Sequence, residues 1–410
     1  MTLKFTVILL AILGGVYNLV LGIVQYRSAN NPTPENLLDV YDEETYAKWK
    51  RYSAEHSRLE IFSNVIGSII TIALLAFDVY AAFASLFGDN LYLQIFAIVF
   101  FETVVGFLVS TVVSYISNMI IEQKYGFNRT TIKTFVFDRI RSLILGLLLS
   151  FALAYLIALF SRMIGAWMIL AFAAVMLAFS LLITFLYPFF SRIGNKFTPL
   201  EDGELKDKLL ALLEKYGYKV KAIEVMDASR RTTKLNAYFT GFGKMKTIVL
   251  YDNLLSAMST DEICAVFAHE MGHGLHKDVL KSQILNSVQM VIIGAIAYGV
   301  VCLPEVYTQF GFGDINYGFA YVLLGVALGV IQPLISLVVN ASSRSHEYRA
   351  DRQAVIEGYG EAMISAFKKL AKDNFAHLAP SKINVVLEYS HPPLDRRVEE
   401  VEKAMAKMKK

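Results

Sequence analysis

Charge is the first thing this chain is short of. Of its 410 residues, 18% are charged and 55% are hydrophobic, whereas soluble domains carry nearer a quarter charged. The shortage is concentrated. Residues 5–24, 61–77, 91–121, 143–160, 163–190, 284–304 and 315–343 form apolar runs, with Glu102 the only charge inside them. About 20 apolar residues cross a bilayer core as a helix, so seven transmembrane helices are expected. The division between the fourth and fifth rests on Arg162 alone. The first run is too long for a signal-peptide core and only Lys4 precedes it, so it is taken as a membrane helix.

Cysteine is scarce too. Cys264 and Cys302 are the only two, which excludes a disulfide framework and a zinc–thiolate cluster. The net charge is only +3. No basic tract with interleaved aromatics occurs, so no nucleic-acid partner is expected. No repeat of fixed period and no low-complexity stretch occurs.

The remaining charges carry topology. Seven spans put the termini on opposite sides. In short loops, the N-terminal side holds Lys4 and Arg162. The other side holds Arg27, Lys48, Lys50, Arg51, Arg58, Lys124, Arg129, Lys133, Arg139 and Arg141. Lys and Arg excess marks the cytoplasmic face, so that second side is expected to be cytosolic. Residues 191–283, after the fifth span, and 344–410, after the seventh, then lie together on the cytosolic side. The expected organisation is 1–190 with spans one to five, 191–283 as the first part of one polar domain, 284–343 with spans six and seven, and 344–410 as its second part. The fold class expected is a mainly α membrane protein with a cytosolic α+β domain.

Histidine is also sparse, at seven residues, yet three fall in "VFAHEMGHGLHKD", residues 266–278. His269, Glu270 and His273 spell H-E-x-x-H. On a helix, i and i+4 share a face, so both imidazoles reach one zinc ion. Glu270, one residue on, stands beside the metal and can act as general base. A helix is expected, because Ser259-Thr-Asp-Glu262 is a capping-box pattern and Ile263, Val266 and Phe267 supply an apolar stripe. The five-residue pattern also arises by chance. His276 and Asp278 are taken as surface residues at the helix end.

Hydrolytic zinc takes three protein ligands and leaves one position for water. "SRSHEYRAD", residues 343–351, offers Glu347 as third ligand. Asp351, one turn on, would accept the free ring N–H of a ligand histidine and fix its tautomer. A solvated helix whose Arg344, Glu347 and Asp351 merely exchange ion pairs has the same pattern. His346 points elsewhere on the helix and is not expected to be a ligand. Residues 235–239 and 246–251 read as a β-hairpin around 241–243, whose exposed edge can accept an extended peptide.

Together these features resemble the type I CAAX prenyl proteases, integral-membrane zinc metalloproteases of the gluzincin kind. The resemblance covers nearly the whole chain: seven spans, H-E-x-x-H after the fifth, E-x-x-x-D after the seventh. It extends to "EQKYGFNRTT" (122–131), "LNAYFTGFGKMKTIVLYDNLL" (235–255) and "SHPPLDRRV" (390–398). It implies one zinc ion held by His269, His273 and Glu347, with Glu270 activating water and Asp351 behind the ligands. It further implies a substrate strand at Asn236, Ala237 and Tyr238, an oxyanion donor at His391 and an arginine near the site at Arg397. The implied partners are the lipid bilayer and C-terminal peptide or protein substrates of the CAAX type, prenylated in the family.

The family's helices enclose an intramembrane chamber. Asp78, Glu102, Asn286 and Gln289 fall within or near spans and would face it. Equally, Asp78 would sit at a membrane interface and the amides would bond neighbouring helices. The tail Lys407-Met-Lys-Lys410 does not match the di-lysine retrieval pattern. A bacterial inner membrane and a eukaryotic endoplasmic reticulum therefore both remain as locations, and only a prenylating host offers prenylated substrate. Two rival functions stand beside CAAX processing. One is a membrane-protein quality-control protease. The other is a seven-helix receptor or transporter with structural zinc, for which His276 is the nearby fourth ligand.

Overall fold

A computed structural model describes residues 2–192, 194–218, 220–240 and 247–409. The apolar runs become long helices. These are α1 (Leu3–Ser28), α2 (Glu43–Ala76), α4 (Leu91–Ser114), α5 (Ile132–Ile164), α6 (Met168–Phe190), α10 (Asp278–Val301) and α12 (Tyr317–Ile356). Short α3 (Val79–Ser85) follows α2, and a π-helix, Tyr115–Glu122, continues α4. Among the described residues six helices are long and apolar enough to cross a membrane, with Ile132–Phe190 counted as one stretch of 59 residues. That stretch is broken by a single 3-10 turn, Gly165–Trp167, where Gly165 takes φ 53°. The break lies after Arg162, the residue on which the sequence division rested. Residues 143–160 are the interior of α5 rather than a span of their own length.

Contacts at the helix ends sort the loops. At one end, Lys4 Nζ donates to Asp78 at 2.7 Å and Lys4 N to Gln309 Oε1 at 2.9 Å, and Asn316 donates to Gln94 at 2.8 Å. Asp78 is thus an ion-paired residue at a helix corner, with φ 53°. Gln289 donates to Gln332 on α12 at 3.2 Å, a bond between neighbouring helices. Glu102 accepts from Tyr80 and lines a cavity of about 590 Å³ together with Asn18, Asn64 and Ser68.

At the other end lies the polar domain, built from β1 (Phe197–Pro199), α7 (Glu204–Lys215), β2 (Ala222–Met226), β3 (Ala237–Thr240), β4 (Thr247–Tyr251), α8 (Asp252–Ala257) and α9 (Thr260–Leu275). After α10, α11 (Pro304–Gln309) and α12 come α13 (Gly360–Asp373), α14 (Lys382–Leu387) and α15 (Leu394–Met408). The sheet order is β1-β2-β4-β3, with β2 parallel to β4 and the other pairs antiparallel. β3 is therefore an edge. The expected hairpin is present, although its turn at 241–243 lies outside the described residues.

Two apolar cores meet at α9. Leu209, Leu213, Ile248, Leu250, Ile263 and Phe267 pack α7 and the sheet on one side of it. Ala265, Ala268, Ala354, Met363, Phe367 and Val401 pack α12, α13 and α15 on the other. The loop after α1 joins this second core through Leu37, Val40 and Tyr41, and the start of α2 joins it through Trp49. The segment before α10 and the segment after it thus share one interior. α12 has 40 residues, or about 60 Å at 1.5 Å per residue. That is twice a bilayer core, so its final turns extend into the polar domain.

Candidate active site

The local sequence explains the helix that carries His269 and His273. Ser259 caps α9 by accepting from Glu262 N at 3.3 Å, and Glu262 Oε2 accepts in turn from Ser259 N at 2.7 Å. Glu262 also accepts from Ser365 Oγ at 2.6 Å and Lys369 Nζ at 2.7 Å, which ties α9 to α13. Gly272 lets α9 approach α12. A Cβ there would meet Ala350 Cα and Gln353 Cβ at 3.0 Å.

This approach brings three sequence-predicted ligands together. One ligand atom from each of His269, His273 and Glu347 lies within 4.8 Å of the others. His269 Nε2 is 3.6 Å from Glu347 Oε2, and His273 Nε2 is 3.4 Å from Glu347 Oε1. Zinc–ligand distances of about 2.0–2.2 Å place tetrahedral ligand atoms roughly 3.3 Å apart, close to both separations. Glu347 Oε2 is buried and accepts no hydrogen bond. Burial disfavours the charged form of His273. The Glu347 carboxylate, the charge of Glu270 and the hydrogen bond to Asp278 overcome that and hold its imidazole up at about 9. Two imidazoles and a carboxylate with an oxygen that accepts no hydrogen bond, in a pocket that favours positive charge, fit a divalent metal. His276 is not in the group: it ends α9 as its C-cap.

Asp351 is fully buried and its Oδ1 accepts from His269 Nδ1 at 2.8 Å. Arg397 clamps Asp351 through Nε and NH2 at 2.9 and 2.6 Å, and NH2 lies 3.2 Å from Glu347 Oε2. The guanidinium also sits over the Phe367 ring, 4.3 Å from its centre. His391 is exposed, with Nε2 3.5 Å from Glu347 Oε1. Glu270, half-buried on α9, exerts its charge on both His273 and Arg397.

Asp278 departs from expectation. It is not a surface residue but 4% exposed, with Oδ2 3.1 Å from His273 Nδ1 and Oδ1 accepting from Arg349 at 2.8 Å. Its spacing of five from His273 matches no helical face, because the chain turns a corner between them. His346 is buried, outside the ligand group, and 3.8 Å from Asp278.

The predicted substrate strand runs beside α9. Tyr251 N donates to Asn236 O at 3.2 Å, so Asn236 and Tyr238 face β4 and Ala237 turns its N–H to the free edge. There it donates to the side-chain Oδ1 of Asn236 at 2.9 Å. Tyr238 packs edge-on against Tyr187 of α6 and Tyr251 of β4.

The strand is anchored by residues the sequence did not single out. Asn374 bonds both backbone groups of Leu235, at 2.9 and 3.2 Å, and Asn253 donates to Lys234 O at 2.8 Å. Lys234 Nζ donates to Glu122 at 3.2 Å, and Tyr52 donates to the same carboxylate at 2.6 Å. Arg129 N donates to Arg231 O at 3.1 Å. The 122–131 stretch is thereby a brace between the end of α4 and the chain entering β3. Single Asn residues, in α8 and at the end of α13, gave no sequence signal for this.

The model of the CAAX prenyl protease N-terminal region, five membrane helices, matches residues 23–192. The model of peptidase family M48 matches residues 199–405.

The chain belongs to peptidase family M48.

It is a multi-pass membrane metalloprotease of the CAAX type, and membership implies a metal cofactor. Among M48 relatives, CAAX prenyl protease 1 of Saccharomyces cerevisiae is 29% identical, over 91% of this chain and 89% of its own. The CAAX prenyl protease 1 homolog of Dictyostelium discoideum is 30% identical, over 95% and 94%. The crystal structure of S. mikatae Ste24p superposes with a TM-score of 0.89 at 26% identity, covering 98% of this chain and 99% of that one.

Proposed function

We propose that this M48 protease is a zinc endopeptidase that removes C-terminal residues from CAAX-type, prenylated proteins at the cytosolic face of its membrane. One observation carries the catalytic reading. His269, His273 and Glu347 converge from two helices, with Glu270 beside them and a free-edged strand alongside. The substrate class comes from the CAAX prenyl protease relatives, similar over nearly their whole length.

His269, His273 and Glu347 would hold the zinc ion. When bound, it supplies a Lewis acid that polarises the scissile carbonyl and makes water nucleophilic at neutral pH. Glu270 takes the proton of the attacking water on a carboxylate oxygen and passes it to the leaving amine nitrogen. Substrate adds as a strand to the edge of β3 and replaces the Asn236 side chain at the Ala237 N–H. His391, exposed beside Glu347, donates to the developing oxyanion. Arg397 holds Asp351 and Glu347 in place.

Seven crossings, with the division 1–190, 191–283, 284–343 and 344–410, account for the end contacts described above. A continuous helix over Ile132–Phe190 would measure about 90 Å, three bilayer cores, and α5 and α6 instead pack on one another. The Lys and Arg bias supports a cytosolic metal side. Among the described residues the ligand group holds three protein ligands and not His276, which favours catalytic over structural zinc.

The test is purified full-length protein assayed for zinc and for cleavage of a farnesylated CAAX peptide beside its unprenylated twin. Glu270→Ala should abolish cleavage while retaining metal. If Glu270→Ala loses metal as readily as His269→Ala, the role given to Glu270 is wrong. Equal cleavage of both peptides would remove the prenyl group from the proposal.

A further inference from the structure

We infer that Asp278, the first residue of α10, is the positioning residue that aims His273 at the metal. The inference rests on the reading of His273 as a ligand.

A metal-ligating imidazole almost always donates its other ring N–H to a partner, which fixes the tautomer and aims the ring. At His269 that commitment is to Asp351, from Nδ1 at 2.8 Å, leaving Nε2 toward Glu347. His273 repeats the arrangement with a different carboxylate. Its Nδ1 donates to Asp278 Oδ2 at 3.1 Å while Nε2 stands 3.4 Å from Glu347 Oε1. Each ligand histidine thus has its own buried acid, Asp351 from α12 and Asp278 from α10.

The backbone delivers Asp278 by an unusual route. α9 ends at Leu275 and α10 begins at Asp278. Lys277 between them takes φ 55°, a left-handed conformation that costs a side-chain-bearing residue energy and persists where its surroundings require it. This corner folds the start of α10 back onto the last turn of α9. Asp278 is then held from its other oxygen by Arg349 on α12, at 2.8 Å, with Lys281 at 3.5 Å. Arg349 lies two residues beyond Glu347. Asp278 therefore joins a metal-facing histidine, the start of a membrane helix and the helix carrying the third ligand.

A purely structural role, as a brace between α10 and α12 through Arg349, gives different results from positioning. The full-length protein in detergent is stripped of metal and titrated with zinc(II), then with cobalt(II) for its visible absorption. Asp278→Ala should raise the zinc Kd about 10- to 100-fold and alter the cobalt bands, because the His273 ring is released. Arg349→Met breaks the brace but leaves the His273 bond, so its Kd and cobalt bands should stay near wild type. Asp278→Ala leaves Arg349 without its buried partner. The double variant D278A/R349M removes both charges and guards against a folding defect; it should lose metal affinity as Asp278→Ala does. The inference is overturned if D278A/R349M binds zinc like Arg349→Met alone, or if Arg349→Met weakens zinc as much as Asp278→Ala. Should wild type take up no zinc, or His269→Ala bind it equally well, the metal reading itself falls with everything built on it.

Discussion

Gly272 sits inside H-E-x-x-H, and replacing it with alanine separates packing from helix propensity. In an isolated helix Gly→Ala stabilises by about 1 kcal/mol. Here the new methyl would lie 3.0 Å from Ala350 Cα and 3.0 Å from Gln353 Cβ. Carbon atoms settle at about 3.5–4.0 Å, so α9 and α12 must part by roughly 0.5 Å. One contact is backbone in mid-helix and cannot swing aside. Overpacking costs about 1–3 kcal/mol, so the net effect on the metal-free protein is a loss of roughly 0–2 kcal/mol after the propensity gain. The larger effect falls on the metal. His269 and His273 belong to one of these helices and Glu347 to the other. A metal site tolerates about 0.2 Å in its ligand distances, less than half the expected parting. Gly272→Ala should therefore raise the zinc Kd by about tenfold or more while the metal-free Tm changes little. Chelator competition and thermal unfolding of the stripped protein measure the two. Gly299→Ala is the control, since nothing lies within 4 Å of a Cβ there; it should leave zinc binding alone. If Gly272→Ala binds zinc like wild type and its Tm rises as propensity alone dictates, the close approach of α9 and α12 is not what assembles the site.

Glu347→Ala should abolish stoichiometric zinc and Asp351→Ala should weaken it by about 10- to 100-fold; full zinc content in Glu347→Ala would mean a different third ligand. Asp351→Ala also strands the Arg397 guanidinium, so it should lower Tm more than Glu270→Ala does, a ranking that thermal unfolding checks. In a chain whose Cys264 and Cys302 are replaced, an impermeant thiol reagent outside intact cells should reach a cysteine at 311–313 and miss cysteines at Lys206 and Lys372. Labelling of the latter two from opposite sides would place a membrane between the ligands and end the protease reading. Burial opposes charge on Glu262, yet Lys369, Ser365 and Ser259 N hold its carboxyl down at about 2, below its usual 4.5. Its stabilising effect is then full above about pH 4.5 and lost as pH falls toward 2. Tm should drop more steeply from pH 5 to 3 in wild type than in Glu262→Gln; parallel curves would refute this.

The local signals were all legible in the chain. Uncharged runs near the length of a bilayer core marked the membrane helices, and Ser259 with Glu262 marked the start of α9. The i, i+4 spacings of His269 with His273 and of Glu347 with Asp351 put each pair on one helix face. Parity of the spans brought two distant polar segments to one side. These depend on periodicity and sign of charge, which a sequence carries residue by residue. What the tertiary structure decided depends on where helices end and how closely they approach. The division of 132–190 lies at Gly165 because a backbone turn, not the charge of Arg162, interrupts the helix. Asp278 looked like a surface residue because no helical period links it to His273. A left-handed Lys277 folds it back, and α12 covers it. Asn374 at the end of α13, Asn253 in α8 and the pair of Lys234 with Glu122 of the π-helix steady β3 across separations that no local pattern encodes. The ligand distances themselves follow from Gly272 letting two helices touch, a fact of packing that the letter G alone could not convey.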